Sequence, residues 1–249
     1  MSRRVLHLLA TAACAALLGT GCTTVNDRPT VSGASAAASS VAAPAPTVSP
    51  AAMATVPVPG LPAIGQWMIA PDGQIAAWLG MSLNGKPFRE PINTIFVDAG
   101  APDAAGAKAR LVDAMTAAGY PPRTGHSSGY RGVIGGRLES QLPEQKDHAF
   151  STRPFEMDNN HGRIFGPFRG DTGWVFIGAL SRENVDYDHV PPQHVYSSFN
   201  RARDELAQAL TATGVYQLDA TVPLRNAGGP NTPFTTGDHD GNAAVLRAG

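Results

Sequence analysis

Both cysteines of this 249-residue chain, Cys14 and Cys22, lie within its first 22 residues, so everything downstream must fold without a disulfide, a thiol nucleophile or a thiolate metal site. Arg3 and Arg4 precede an apolar stretch from Val5 to Leu18, broken only by His7 and Thr11, and the small residues Gly19, Thr20 and Gly21 lead into Cys22. A charged start, an apolar run too short to span a bilayer and a small-residue cleavage site mark residues 1–21 as a signal peptide. The destination is therefore oxidising, yet beyond Cys22 the exported part has no thiol to pair. Removing residues 1–21 takes away two arginines and no acid, which shifts the formal net charge from −1 to −3. A nearly neutral, slightly acidic domain offers no electrostatic footprint for nucleic acid or for a polybasic grip on anionic lipid.

Leu18-Gly19-Thr20-Gly21-Cys22 resembles the lipobox of bacterial lipoproteins, with Leu18 one place further from the cysteine than that pattern prefers. The resemblance implies acylation at Cys22 and a protein lipid-anchored at the extracytoplasmic face of a cell membrane. Ser2-Arg3-Arg4-Val5-Leu6 also resembles a twin-arginine signal, and an ordinary Sec leader holding two arginines fits equally well.

From Cys22 to residue 60 the chain is Ala, Ser, Thr, Val and Pro with almost no charge, and such a segment reads as a flexible tether. The folded domain is expected over residues 61–224, and residues 225–249 are expected to form an irregular tail. Gln66 to Arg89 carries the turn signals Pro71-Asp72-Gly73 and Asn84-Gly85 around an apolar stretch that fits either a short helix from Asp72 to Gly80 or strands. Ile92 to Val97 reads as a buried strand. Leu111, Val112, Met115 and Ala118 recur at helical spacing and stop at Gly119. Residues 123–160 are loop-rich. His161–Phe168 and Gly173–Ser181 form a hairpin about Arg169-Gly170-Asp171-Thr172. A second helix carries Phe199, Ala202, Leu206 and Leu210, with Ser197 or Ser198 to cap it and Gly214 to end it. Val215–Val222 alternates as a last strand. The order β-α-β-β-α-β predicts an α+β, ferredoxin-like split βαβ sandwich: one antiparallel sheet with two helices on one face and a long loop-rich insertion.

That topology places the insertion 120–160 and the segment 182–196 at one sheet edge, with Asp98 and the turn 169–172 at the opposite edge. The shared edge gathers the candidate ligand-binding residues His126, Ser128, Tyr130, Arg131, Asn159, Asn160, His161, Arg163, Arg182 and Glu183. The segments Glu90-Pro91-Ile92-Asn93, Ala117-Ala118-Gly119-Tyr120, Asn160-His161-Gly162-Arg163 and Trp174-Val175-Phe176-Ile177-Gly178-Ala179 resemble landmarks of the C-terminal domain of LssY-type envelope proteins, over roughly residues 90–200. The resemblance implies an envelope setting and a neighbourhood of phosphorylated or lipid-linked molecules. It supplies no catalytic residues.

Five histidines, His126, His148, His161, His189 and His194, fall close together, but none shows a helical His-x3-His or His-Glu-x-x-His spacing, so no metal or other cofactor is expected. Arg123, Arg131, Arg137, Arg153, Arg163, Arg169 and Arg182 crowd the same region, where a planar guanidinium suits phosphate or carboxylate. Ser127 and Ser128 beside His126 lack any nucleophile-elbow pattern. Asp238-His239-Asp240-Gly241-Asn242 has the look of a calcium loop without the later glutamate, and is expected to be a solvated tail. The leading expectation is a lipoprotein binding an anionic ligand, phosphorylated or saccharide, or a protein partner. The alternative is a metal-assisted phosphoesterase using His126, His161 and Glu183.

Overall fold

The strand expected at Ile92–Val97 shows how the domain is layered, because its neighbours bury both of its faces. In the computed structural model, which describes residues 47–249, this strand is β5 (Thr94–Asp98), and all five of its residues are buried. Phe96 turns towards one core, with Phe176 and Leu246, while Ile95 and Val97 turn towards the other, with Val175, Ile177 and Val245. Cys22 and residues 1–21, expected to be a signal peptide, lie outside the described residues.

The chain runs β1 (Thr55–Val56), β2 (Ile64–Gly65), β3 (Ala77–Leu83), β4 (Lys86–Arg89), β5, α1 (Ala104–Ala117), β6 (Pro122–Arg123), β7 (Arg131–Ile134), β8 (Arg137–Leu142), β9 (Ala149–Ser151), β10 (Asn159–Gly170), β11 (Gly173–Asp186), β12 (Gln193–Ser198), α2 (Phe199–Thr213), β13 (Gln217–Pro223) and β14 (Asn242–Ala248). Twelve strands make one curled mixed sheet in the order β1-β2-β7-β8-β10-β11-β5-β14-β13, with β12 alongside β11 and β9 joining β10 to β6. The β3–β4 hairpin stands as a separate two-stranded sheet.

This architecture overturns the ferredoxin-like sandwich. The domain is mostly β, and two segments assigned to loop or tail are the reason. Residues 242–248 were expected to be irregular, but they form β14, which inserts between β5 and β13 and runs parallel to β5 with Thr94 opposite Ala244 and Asp98 opposite Ala248. The insertion supplies β6 to β9, and β8 and β9 extend the sheet beyond β10. The sheet then curls so that Ile64, Met68 and Ile134 cover the face opposite the helices. A sandwich with helices on one face would have left that face to solvent.

Both helices lie on the other face. Leu111 and Met115 of α1 and Leu206 and Leu210 of α2 pack with Phe96, Phe176 and Leu246. Asp103 caps α1 by accepting from the Gly106 amide at 2.7 Å, and Ser198 caps α2 by accepting from the Arg201 amide at 2.9 Å. Gly214 closes α2 with φ 76°, a left-handed turn that a side chain would resist. The folded part also begins before Leu61: Ala52, Val56 and Val58 are buried, so the expected tether is already ordered at its C-terminal end. The stretch from Asp72 to Gly80 ends in β3 and forms no helix.

Asp238 to Asn242 is not a solvated loop. The Asp238 carboxylate accepts from the Phe199 amide at 2.8 Å and from the Tyr196 and Ser198 hydroxyls, which ties the tail to the start of α2. Arg203 Nη1 lies 2.7 Å from Asp240 Oδ1, and His239 is buried with Nε2 2.8 Å from Asn226 Oδ1. These residues clasp the strand that follows. Among the described residues no helix is long and apolar enough to cross a membrane.

Candidate functional site

The segment expected as a loop over residues 182–196 is largely strand. β11 continues to Asp186 and pairs with β12, with Glu183 opposite Tyr196 and Asn184 opposite Val195. Strand side chains alternate between faces, and this divides the ten candidates. Asn159, His161, Arg163 and Glu183 turn to one face of β10 and β11. Asn160 and Arg182 turn to the helix side, where Asn160 Nδ2 donates to Tyr120 Oη at 3.1 Å and to Glu205 Oε2 at 2.6 Å, and Arg182 Nη1 donates to Asn160 Oδ1 at 3.1 Å. These two residues therefore brace α2 and take no part in the pocket. Ser128 and Arg131 line a neighbouring depression that shares Tyr130. Asp98 sits across from Trp174 at the other end of β11 from Glu183, bonded to Arg110 at 2.8 Å.

Five of the remaining candidates converge, and Asn159 supports Glu183 from outside the lining. A cavity of about 320 Å³ is lined by His126, Tyr130, His161, Arg163 and Glu183, joined by Glu90, Ser127, Phe155 and the hairpin residues Trp78, Leu79 and Gly80. The His126 and His161 rings stack with centroids 4.9 Å apart. Phe155 meets His126 edge-on at 5.5 Å and stacks on His194 at 4.1 Å, so three imidazoles and a phenyl ring form one packed group.

Glycine makes the strand geometry possible. At Gly162, between His161 and Arg163, a Cβ would stand 2.5 Å from the Ala179 carbonyl oxygen of β11. The register of β11 against β12 shifts between Arg182 and Glu183 with Ser197 of β12 as the extra residue, while β11 stays in step with β10, so ordinary strand alternation puts Glu183 on the face of Asn159.

Arg163 is fixed before any ligand arrives. Its Nε and Nη2 donate to the Ser127 carbonyl at 3.2 and 3.0 Å, Nη2 also donates to Ser127 Oγ at 3.1 Å, and the guanidinium lies 4.4 Å over the Tyr130 ring. Glu183 accepts from Asn159 Nδ2 at 3.3 Å. Its Oε1 is 2.9 Å from His194 Nδ1 and 3.5 Å from His161 Nδ1, yet neither nitrogen has the alignment of a hydrogen bond. His126 Nε2 is likewise buried without a partner.

The protonation states follow from burial. Burial pushes Glu90 up to about 7, with nearby Arg163 opposing and Glu183 adding to the rise. Burial also raises Glu183 to about 7 against the Asn159 hydrogen bond and Arg163. His126 is held down to about 4, first by burial and then by Arg163 and the other histidines, and burial with Arg163 holds His161 well below the usual imidazole range. Near neutral pH the cavity therefore contains one permanent cation, two acids close to half-protonation and neutral imidazoles with free nitrogens.

His148 and His189 stand apart, on the Lys146 carbonyl and Asp186 respectively. Among the described residues no three His, Cys, Asp or Glu side chains are grouped so as to hold a metal ion. Sequence reasoning missed Glu90, Trp78 and Phe155 as pocket residues. The signal for Glu90 was an acid one residue before Pro91, against a wholly buried strand. Compared with protein-family models, curated proteins and solved structures, the chain matches none. The resemblance to LssY-type domains rests on its short segments alone.

Proposed function

We propose that this protein is a lipid-anchored envelope lipoprotein whose cavity binds a small ligand carrying an anionic group, such as a phosphorylated or saccharide acid, with Arg163 as its counter-charge. The observation that carries this reading is the convergence of a pre-positioned guanidinium with Glu90, Glu183, His126 and His161 on one cavity. A guanidinium held by a backbone carbonyl and an aromatic face loses little freedom on binding an oxyanion. The neutral imidazoles and protonated acids add donors that reach the ligand's other oxygens. Because both acids are raised to about 7, the cavity turns net positive only as pH falls below that value.

Thermal unfolding in the presence of sn-glycerol 3-phosphate, and of sulfate, whose charge is constant near neutrality, tests the reading. Stabilisation is expected to be larger at pH 6 than at pH 8, reaching about 2.7 kcal/mol at roughly 100 times Kd. Arg163→Ala should weaken binding by about 10- to 100-fold, the worth of a charge-assisted hydrogen bond, and Arg163→Lys should fall between. Equal stabilisation of wild type and Arg163→Ala would defeat the proposal.

A further inference from the structure

The β3–β4 hairpin is held at its root and bare at its tip. Trp78 is buried against Phe88 and Tyr196, with ring centroids 6.0 Å from each, and Phe88 reaches Phe199 at 5.4 Å. Immediately beyond Trp78 the strand changes direction. Leu79 and Gly80 take φ of 46° and 69°, and the pairing with β4 shifts between Ala77 and Ser82. A leucine in the left-handed region is strained and persists only where its surroundings impose it, a condition met most often at ligand clamps and switches.

Past this kink Leu79, Met81 and Leu83 are 58%, 45% and 40% exposed. No ionisable side chain occurs between Asp72 and Lys86. An uncharged apolar strip of this kind on a separate hairpin is unusual for a surface left to water. Leu79 and Gly80 also line the cavity that holds Arg163, Glu90 and Glu183. The apolar strip thus begins on the rim of the polar site, with Leu79 belonging to both.

Resting on the anion-binding reading above, we propose that the ligand is an amphiphile: its anionic head occupies the cavity beside Arg163, and its hydrocarbon chain leaves over Leu79 and lies along Met81 and Leu83. The continuity of lining from cavity to strip identifies the occupant, since a free sugar acid or phosphate would use only the cavity. A chain along the strip would cover apolar side chains that nothing else in the described residues covers.

The test uses the chain from residue 22 onward carrying Cys22→Ser, which removes the proposed acylation site and none of the described residues. Calorimetry at pH 6 compares sn-glycerol 3-phosphate with its monodecanoyl ester below the micelle concentration, with circular dichroism to verify that the fold is kept. The ester is expected to bind at least about tenfold tighter, which needs only two or three buried methylenes. Met81→Ser/Leu83→Ser, at exposed positions outside the cavity, should erase most of that gain and leave glycerol phosphate binding unchanged. Equal affinity for the two probes would overturn the amphiphile while the anion-binding reading stands. Ester binding that Arg163→Ala leaves untouched would overturn it too, because the chain would then be held without the head. If neither probe binds, both readings fail.

Discussion

Glu90 stores free energy in a form that pH releases. It is only 8% exposed, and its carboxyl is raised from 4.5 to about 7 mainly by burial. The folded state therefore binds this proton more tightly than the unfolded chain. The contribution to stability is fully present below pH 4.5 and is lost as pH rises through about 7. Glu90→Gln keeps the shape without the charge, so the variant should be more stable than wild type at pH 8, by up to about 3 kcal/mol, and nearly equal to it at pH 4.5. Urea unfolding at the two values checks this, and equal destabilisation at both would show that the charge of Glu90 is not what sets its effect on stability. His126 works in the opposite sense, since its favoured neutral form is the deprotonated one: its contribution is present above 6.5 and is lost as pH falls through about 4. At this scale the sequence was partly legible. His126, His161, Arg163 and Glu183 stand out because polar residues are dense around them. Asn160 and Arg182 were grouped with them because a segment read as loop has no faces, whereas a strand sends each successive side chain to the opposite side. Glu90 carried only the weak signal of an acid beside a buried strand, because its burial comes from tertiary packing and the charges that act on it, Arg163 and Glu183, lie far away in sequence.

Among the elements, the helices were readable and β14 was not. Helices announce themselves locally, through Ser198 and Asp103 at their starts and Gly119 and Gly214 at their ends. Ala243-Ala244-Val245-Leu246 gives no alternating pattern because a parallel strand at the centre of a sheet is covered on both faces. The polar clasp from Asn226 to Asp240 that precedes it also looks like disorder when read alone, although Asn226 donates at 2.7 Å to the Gln66 carbonyl and at 2.9 Å to the Ile92 carbonyl. Leu246 is fully buried among both helices and β5. Leu246→Ala should cost about 2–5 kcal/mol, the usual range for a core leucine, while Leu218→Ala on exposed β13 should stay within about 0.5 kcal/mol. Chemical denaturation distinguishes them, and a small loss at Leu246 would mean that β14 is not integral to the sheet.

For the whole molecule, the proposed anchor at Cys22 makes a prediction about where the protein is found. Cys22→Ala should leave the protein soluble after export or retained with its leader uncleaved, as fractionation with an antibody to the domain would show. A variant that is cleaved normally and stays with the membrane would place the anchor elsewhere. The anchor and the proposed amphiphile site fit together, since tethering to a bilayer raises the local concentration of any lipid-borne ligand. The parallel pairing of Thr94 with Ala244 has another consequence, in the order of events during synthesis and the proposed export. These partners lie 150 residues apart along the chain, so one side of β5 has no neighbour until that much more polypeptide has been delivered. Sheets closed by so distant a contact form slowly, and until closure the unfinished strand edge can template pairing with other chains. A transport route that threads the polypeptide unfolded would need a holding factor to shield that edge, whereas a route that moves the finished fold would leave closure to the cytoplasm.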